Sequence, residues 1–218
     1  MPPQAGKSAL QGDFFAPHLP EGLVYRPAWV DVAGQKRLLA RLAGIEAMAP
    51  LARARTRNGL TSAAMTNCGR VGWWSDLKGY RYEPVRPPTG RPWPPMPEVF
   101  LKLVSGVVAD TPWARFTPDA CLINFYAAGT KMGLHQDRDE KDFSQPIVTV
   151  CLGDDADFMI GGIKRADKTQ ALVVRSGDVL IMGGESRLRF HGVRKIYPGT
   201  SPLPSINGRY SLTFRKAL

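Results

Sequence analysis

The second half of the chain is divided into short apolar stretches by glycine, proline and aspartate, and this pattern restricts the possible folds more than any other feature. The stretches lie at 121–126, 146–152, 157–160, 171–174, 178–182, 187–191 and 209–214. Short apolar runs bounded by turn residues predict strands. So many strands within about 95 residues predict an all-β sandwich or barrel.

The first half predicts helices. Apolar residues recur at helical spacing from Leu38 to Met48, after Asp31 as a candidate N-cap and before Pro50. A second helix is predicted at 97–109, with proline in its first turn, and a short strand begins near 23. We therefore expect a mainly β fold with α (α+β), with helices on one side of the β-core. The expected organisation is a flexible arm at 1–22, an extension at 23–115 and a core at 116–218.

The charge balance indicates a polyanionic partner. The chain has 29 basic and 19 acidic residues, for a net charge of +10, and such an excess is typical of nucleic-acid binding proteins. The alternative is a basic soluble protein with no such partner. Residues 51–94 interleave arginines and lysines with Trp73, Trp74, Tyr80, Tyr82 and Trp93. That mixture suits a surface that binds phosphates and stacks bases, although a hairpin region whose aromatics pack on the core would have the same composition.

Composition also predicts where the protein resides. The N-terminus has no continuous apolar stretch, and no run approaches the roughly 18–20 residues needed to cross a membrane. Cys68, Cys121 and Cys151 are widely spaced and form no CxxC motif, so we expect reduced thiols. These features predict a cytoplasmic protein with no membrane partner, and we expect a monomer.

Histidines are few, and two of the three fall in the predicted core. His18 lies in the arm and receives no role, whereas His135 and Asp137 are two residues apart and share a face in extended backbone. His191 lies late in the core. Two histidines and one carboxylate form the facial triad of non-haem Fe(II) oxygenases, which leaves positions open for a cosubstrate and O₂. A structural zinc site would need a fourth ligand, and no cysteine has suitable spacing.

The last predicted strand has two different faces. Arg209, Ser211, Thr213 and Arg215 alternate with apolar residues. Arginines that point into a core require an anion, and a dicarboxylate such as 2-oxoglutarate could pair with both. The alternative is the outward, polar side of an edge strand.

Several motifs occur in an order that resembles the AlkB family of Fe(II)- and 2-oxoglutarate-dependent dioxygenases. The resemblance covers about 61–214. Its motifs are Ala64-Met-Thr-Asn-Cys-Gly69, Gly72-Trp73, Asn124-Phe-Tyr126, His135-Gln-Asp137-Arg-Asp139-Glu140, Gly183-Gly-Glu-Ser-Arg187 before His191, and Arg209-Tyr-Ser-Leu-Thr-Phe-Arg215. The chain departs from the family at Ser211, where Asn is frequent, and at Met182, where bacterial members carry Trp.

The resemblance implies a fold and a set of site residues. The fold would be a double-stranded β-helix (jelly roll) with an N-terminal nucleotide-recognition lid. The catalytic residues, which bind the iron, would be His135, Asp137 and His191. The residues that bind 2-oxoglutarate would be Asn124, Tyr126, Arg209, Ser211 and Arg215. The residues that bind the substrate would be Trp73, Tyr80, Tyr82, Asp139, Arg165 and Met65.

Some of these positions have alternative interpretations. Asp139 and Glu140 could form a solvated turn, and Trp73 could belong to the core while Trp74 is exposed. Arg187 is expected to brace the His191 strand through Glu185 rather than contact a substrate.

The implied activity is oxidative demethylation of N-alkylated bases such as 1-methyladenine and 3-methylcytosine, with release of formaldehyde, succinate and CO₂. The implied cofactor is Fe(II), with 2-oxoglutarate and O₂ as cosubstrates. The implied partner is alkylated DNA, single-stranded by preference, with RNA as an alternative. Such a base is cationic, so a carboxylate at Asp139 and the ring of Trp73 would both favour it. The alternatives are a 2-oxoglutarate oxygenase acting on a protein or small molecule, and a cupin-like nucleic-acid binder without turnover.

Overall fold

The computed structural model describes residues 19–56 and 59–218. His18 and nearly all of the predicted arm at 1–22 lie outside the described residues. The helices are α1 (Val32–Met48) and α2 (Glu98–Val108). The first strands are β1 (Leu23–Arg26), β2 (Arg55–Thr56), β3 (Gly59–Leu60), β4 (Ala64–Gly69), β5 (Gly72–Asp76) and β6 (Gly79–Glu83). The later strands are β7 (Ala120–Tyr126), β8 (Met132–His135), β9 (Ile147–Gly153), β10 (Asp155–Ile160), β11 (Gln170–Val174), β12 (Val179–Met182), β13 (His191–Tyr197) and β14 (Arg209–Arg215).

Two antiparallel sheets form the core. One has the order β1-β12-β9-β14-β7-β4, and the other has the order β11-β10-β13-β8. Their facing sides share one apolar cluster, which includes Leu180 from the larger sheet and Phe158 and Val193 from the smaller one. Two packed antiparallel sheets with these crossed connections are a jelly roll. The predicted fold class is therefore confirmed. Neither helix in the described part of the chain is long and apolar enough to span a membrane.

Both helices cover the outer face of the six-stranded sheet. Asp31 caps α1, with its carboxylate accepting from the Gly34 backbone N–H at 2.6 Å, as its position before the apolar repeat predicted. Leu38, in α1, and Phe100, in α2, are fully buried in the cluster that joins the helices to this sheet. The ring of Phe100 meets the ring of Phe214 edge to face at 5.8 Å.

Strand β14 separates the helix-packed core from the site. Leu212 and Phe214 belong to the cluster beneath the helices. The alternate residues point between the two sheets, since Arg209 is directly opposite Tyr126, which belongs to the inter-sheet cluster. Because β14 pairs with β7 on one side and β9 on the other, it is a central strand. The edge-strand interpretation is therefore wrong.

One predicted strand is misplaced. Residues 187–191 were expected to be extended, but a 3-10 turn (Gly184–Ser186) leads into irregular backbone, and β13 begins only at His191. Strand β8, which pairs with β13, was not predicted from the sequence. The two strands approach closely at Gly192, where a Cβ would lie 2.6 Å from the Met132 carbonyl oxygen. A contact between distant backbone atoms leaves no periodic signal in the sequence, which explains why this pairing was not predicted.

The segment before 116 contributes to the larger sheet. Strand β1 pairs with β12 and β4 pairs with β7, so both edges of that sheet come from this segment. Strands β5 and β6 form a separate two-stranded hairpin, which carries the aromatic residues of the predicted lid. The division at 116 stays a prediction.

Candidate metal and cosubstrate site

Two strands and one loop bring the predicted triad together. His135 is the last residue of β8 and His191 is the first residue of β13, and the two are directly opposite in the sheet. Asp137 lies in the loop that follows β8. One ligand atom from each residue can be chosen so that all three lie within 4.8 Å of one another. Each histidine Nε2 is 3.7 Å from a carboxylate oxygen of Asp137.

Hydrogen bonds orient both imidazoles. The Nδ1 atom of His135 is 3.0 Å from the Gly133 carbonyl, and that of His191 is 3.0 Å from the Arg189 carbonyl. A carbonyl can only accept, so each Nδ1 carries the proton and each Nε2 offers a lone pair toward Asp137. Backbone carbonyls fix the ligand tautomer of metal-binding histidines in this way.

The charges suit a divalent metal. Burial, followed by repulsion from His135, lowers the pKa of His191 from 6.5 to about 4. Burial opposes ionisation of Asp137, but Arg215 and the two histidines outweigh it and hold the pKa of this carboxyl well below its usual range. At neutral pH the site therefore presents a carboxylate and at least one neutral imidazole. Among the described residues no fourth histidine, cysteine or carboxylate joins this group, so the donor set fits an open Fe(II) site.

Strand β14 carries two buried guanidiniums, and one of them contacts the triad. Arg209 is 1% exposed, and its Nη1 donates to the carbonyls of Asp154 at 2.8 Å and Val174 at 3.2 Å. Arg215 donates from Nη2 to Asp137 Oδ2 at 2.8 Å. The Arg209 Nε and the Arg215 Nη1 are buried without a hydrogen-bond partner. Buried donors left unpaired are costly, so these atoms fit an anion such as 2-oxoglutarate.

The other residues predicted for 2-oxoglutarate lie on the same face. Tyr126 is paired with Arg209, and Asn124 is paired with Ser211. The Asn124 Oδ1 is another buried atom without a partner. Side chains directly opposite on neighbouring strands are close enough to touch one ligand. The structure thus gathers all five predicted residues on two adjacent strands.

The β5–β6 hairpin holds an aromatic pair over the acidic loop. Trp73 stacks on Tyr80 with ring centroids 5.4 Å apart and planes 20° apart, and its Nε1 donates to Asp139 Oδ2 at 2.7 Å. Asn67 fixes the backbone of Trp73 from both sides, accepting from its N–H and donating to its carbonyl. A Cβ on Gly72 would lie 2.4 Å from the Trp93 ring, so only glycine allows the hairpin to approach this closely. Trp73 and Trp74 are both half-buried.

Three further predicted substrate residues lie in different surroundings. Met65 is buried on β4, directly opposite Asn124. Tyr82 turns inward and donates its hydroxyl to Glu140. Arg165 is exposed, and its guanidinium lies 4.9 Å from the Phe190 ring centroid, next in sequence to His191.

Glu140 and Arg187 are functional candidates whose surroundings differ from those suggested by the sequence. Glu140 is buried and contacts Tyr82, Arg187 and Arg215, so the solvated turn is wrong for Glu140, whereas Asp139 is exposed. Arg187 pairs with Glu140 at 2.9 Å, which corrects the partner expected at Glu185. The local signal was only the acidic run after His135, because the partners are 47 residues apart.

A jelly roll that presents two histidines and one carboxylate with open positions defines the non-haem Fe(II) oxygenase class of site. The chain matches the 2OG-Fe(II) oxygenase superfamily over residues 22–215. It is 45% identical over 183 residues to the alpha-ketoglutarate-dependent dioxygenase AlkB of Escherichia coli (strain K12), covering 84% of each chain. It is 48% identical over 193 residues to the AlkB homolog of Caulobacter vibrioides (strain NA1000 / CB15N), covering 88% of this chain and 86% of that one. The chain therefore belongs to the AlkB family of Fe(II)- and 2-oxoglutarate-dependent dioxygenases.

The chain is also similar to a solved structure and to two demethylases. The solved structure of OsALKBH1 superposes with a TM-score of 0.78 at 32% identity, covering 91% of this chain and all of that one. A tRNA demethylase, abh1 of Schizosaccharomyces pombe, is 36% identical over 125 residues, covering 57% of this chain and 39% of that protein. The DNA N(6)-methyladenine demethylase ALKBH1D of Arabidopsis thaliana is 45% identical over 109 residues, covering 45% of this chain and 25% of that protein.

Proposed function

We propose that this dioxygenase removes alkyl groups from N-alkylated bases of DNA, such as 1-methyladenine and 3-methylcytosine. The observation that carries the proposal is the contact between Trp73 and Asp139, which places an aromatic face and a carboxylate together two residues from Asp137. Methylation at these ring nitrogens makes the base cationic. A carboxylate favours that cation over a neutral base, and an aromatic face adds cation–π attraction.

The triad would bind the iron, and the arginines of β14 would bind the cosubstrate. His135, Asp137 and His191 would hold Fe(II), with the two Nε2 atoms and the carboxylate as donors. Arg209 would pair with the distal carboxylate of 2-oxoglutarate, and Arg215, which contacts Asp137, would serve its keto-acid end. When bound, Fe(II) with O₂ and 2-oxoglutarate supplies the oxidising power that hydroxylates a C–H bond, while 2-oxoglutarate becomes succinate and CO₂.

The remaining cosubstrate contacts come from β7 and β14. Asn124, Tyr126 and Ser211 line the space beside Arg209. Ser211 has a shorter side chain than the Asn frequent at this position, so Asn124 takes the larger share of the polar contact. These side chains would bind and orient the cosubstrate.

The lid and the acidic loop position the base. Trp73 stacks on one face of the base and His191 lies on the other, while the carboxylate of Asp139 accepts from the exocyclic amino group. An alkylated base pairs poorly, so turning it out of a helix requires less free energy. Hydroxylation gives an N-hydroxymethyl group, which collapses to formaldehyde and the unmodified base.

Four further residues would surround this pocket. Tyr80 supports Trp73 by stacking, and Tyr82 closes the inner side through Glu140. Met65 packs below the base, and Arg165 contacts the nucleic-acid chain next to it. The contacts of these side chains and the family to which the chain belongs support these roles.

We further propose that single-stranded DNA is the main target, that RNA is a second target, and that the protein acts as a cytoplasmic monomer. The net charge of +10 supports a polyanionic partner. The relatives named for DNA and tRNA demethylation support a nucleic-acid base as the substrate. All three cysteines are buried and form no disulfide, which is compatible with the cytoplasm.

The test is to incubate the protein with Fe(II), 2-oxoglutarate and a single-stranded oligonucleotide that contains 1-methyladenine or 3-methylcytosine. We expect formaldehyde and restored base in equal amounts, and none with His135→Ala. Succinate release without repair would show that the substrate is a protein or small molecule. DNA binding without succinate release under any condition would show a binder without turnover.

A further inference from the structure

Arg187 joins the two segments that carry the triad. It follows the 3-10 turn and lies four residues before His191. Its side chain is 3% exposed. The guanidinium donates to the Asp137 carbonyl at 2.8 Å, to Glu140 Oε2 at 2.9 Å and to the Gln145 carbonyl at 3.0 Å. One side chain thus fixes three points of the loop that contains Asp137.

Glu140 extends this connection to the lid and to the cosubstrate arginine. Its carboxylate is 2% exposed and accepts from the Tyr82 hydroxyl. It also lies 3.2 Å from the Nε of Arg215, whose Nη2 contacts Asp137. The hydrogen bond between Arg187 and Glu140 therefore connects the lid, the metal ligand and the 2-oxoglutarate pocket.

We infer that Arg187 is a positioning residue, which fixes Asp137 for the metal and, by holding Glu140, keeps the guanidinium of Arg215 available to the cosubstrate. Arg187 touches neither the metal ligand atoms nor the cosubstrate pocket through its own guanidinium. Its influence passes through the Asp137 backbone and through the Glu140 carboxylate. The inference rests on the proposed role of Asp137 as a metal ligand.

The balance of buried charge explains the effect on Arg215. Asp137 and Glu140 are negative, Arg187 and Arg215 are positive, and all four side chains are almost completely buried. A buried carboxylate that loses its partner is strongly unfavourable. Without Arg187, Glu140 would have Arg215 as its nearest cation and would draw that guanidinium away from Asp137 and from the cosubstrate.

Two independent losses therefore follow from removing Arg187. The Asp137 loop loses its brace, and outer contacts of this type commonly change metal affinity by about 10- to 100-fold. The cosubstrate loses part of its contact with Arg215. Lysine can replace the arginine only in part, because it keeps the charge but does not reach three acceptors in the planar fork that a guanidinium provides.

The test measures Mn(II) binding and then 2-oxoglutarate binding to the Mn(II)-loaded protein, both by calorimetry and without nucleic acid. Arg187→Gln should weaken Mn(II) binding about tenfold or more, and Arg187→Lys should weaken it by a smaller factor. The matched control is Arg194→Gln, which removes a guanidinium on β13 that pairs with Asp157 and is 59% exposed. The control should bind both ligands as the parent protein does.

A double variant separates positioning from general loss of structure. In Glu140→Gln/Arg187→Gln, Asp137 is the one carboxylate left beside Arg215 and Glu140 no longer competes for it, so 2-oxoglutarate should bind more tightly than in Arg187→Gln alone, while Mn(II) binding stays weak. Circular dichroism identifies variants that fold.

Three results would overturn the inference. They are parent-like Mn(II) affinity in folded Arg187→Gln, no recovery of 2-oxoglutarate binding in the double variant, and equal losses in the Arg194→Gln control. A parent protein that binds Mn(II) but repairs no base would overturn only the proposed function, whereas one that binds no Mn(II) would overturn both.

Discussion

The indole Nε1 of Trp73 donates a hydrogen bond to Oδ2 of Asp139 across 2.7 Å. The same indole stacks on Tyr80. In the free protein the carboxylate proposed for the cationic base is thus already bound to the residue proposed to stack on that base. An incoming base has to replace the indole N–H as the partner of Asp139, and a cationic base with an exocyclic amino group is a stronger donor than an indole.

Changing Asp139→Ala should reduce kcat/KM on a 1-methyladenine oligonucleotide by about 10- to 100-fold, as expected for the loss of a hydrogen bond to a charged group. Turnover of 2-oxoglutarate without DNA should remain near that of the parent protein, because Asp139 contacts no triad atom. Formaldehyde release and succinate release report the two rates. Equal losses in both would contradict the assignment.

Changing Trp73→Phe tests the stacking role separately. Phenylalanine retains an aromatic face but cannot donate to Asp139, so kcat/KM should fall by less than about tenfold, whereas Trp73→Ala should lose the stacking energy of about 1–3 kcal/mol per base. The measurement is repair of the same oligonucleotide, and Trp74→Ala is the matched control. A larger loss with phenylalanine than with alanine would contradict stacking.

Changing Arg209→Lys should raise the KM for 2-oxoglutarate by about 10- to 100-fold, since the fork that pairs with a carboxylate is lost. The Kd for Mn(II) should not change, because Arg209 contacts no ligand atom. Steady-state kinetics and calorimetry give the two constants. Arg115→Gln removes an exposed guanidinium elsewhere and should leave both values alone; weakened metal binding in Arg209→Lys would show that Arg209 acts on the whole site instead.

Exposed arginines beside the lid should determine the salt dependence of DNA binding. Arg53 and Arg55 are exposed, and the Arg55 carbonyl accepts from Ser75, two residues after Trp73. Replacing both arginines with glutamine should lower the slope of log K against log salt by up to about 1.4 for single strands. Fluorescence anisotropy at several salt concentrations measures this slope.

The matched control for that experiment removes the same charge from helix α1. Arg37→Gln/Arg41→Gln changes two residues of α1, which covers the outer face of the six-stranded sheet. Its salt slope should equal that of the parent protein. Identical slopes for both double variants would mean that net charge alone attracts the DNA.

The metal-free protein should lose stability in mild acid through His191. Its pKa of about 4 in the folded protein lies below the usual histidine value of 6.5, so the unfolded chain binds the proton more readily. The contribution of neutral His191 to the free energy of unfolding is complete above pH 6.5. It is lost as the pH falls toward 4, with a maximum of about 3 kcal/mol. Urea unfolding between pH 4 and 7 should show a shallower decline for His191→Gln, and a parallel decline would contradict a buried neutral histidine.

The outer core can be tested at Phe100. Phe100→Ala should lower the free energy of unfolding by about 3–5 kcal/mol, because it removes a fully buried ring. Leu101→Ala lies one position away, where the side chain is 36% exposed, and should change the free energy by less than half as much. Urea denaturation measures both, and equal effects would contradict the orientation of α2.

Local patterns made part of this site predictable. His135 and Asp137 are separated by one residue, and β14 alternates strictly, so each pattern is visible within a few positions and was confirmed by the geometry. The helix from 32 to 48 was predicted to within one residue because its cap and its apolar repeat are also local.

Contacts between distant segments were not predictable in the same way. Arg187 and Glu140 are 47 residues apart, so the sequence suggested only local surroundings for them: a contact with Glu185 for Arg187 and a solvated turn for Glu140. The start of β13 was misplaced because Arg187 binds the Asp137 loop and its neighbours leave the sheet. Only the assembled structure shows that this guanidinium is buried.

The alternation of β14 also has a consequence for how the chain finds its fold. A slip of one residue would move Arg209 and Arg215 under the helices and Leu212 and Phe214 between the sheets. Two unpaired guanidiniums in an apolar layer would make that misalignment strongly unfavourable. The residues proposed to bind the cosubstrate thus act as a safeguard against misfolding, so insertions or deletions within this strand should abolish the native protein rather than alter its specificity.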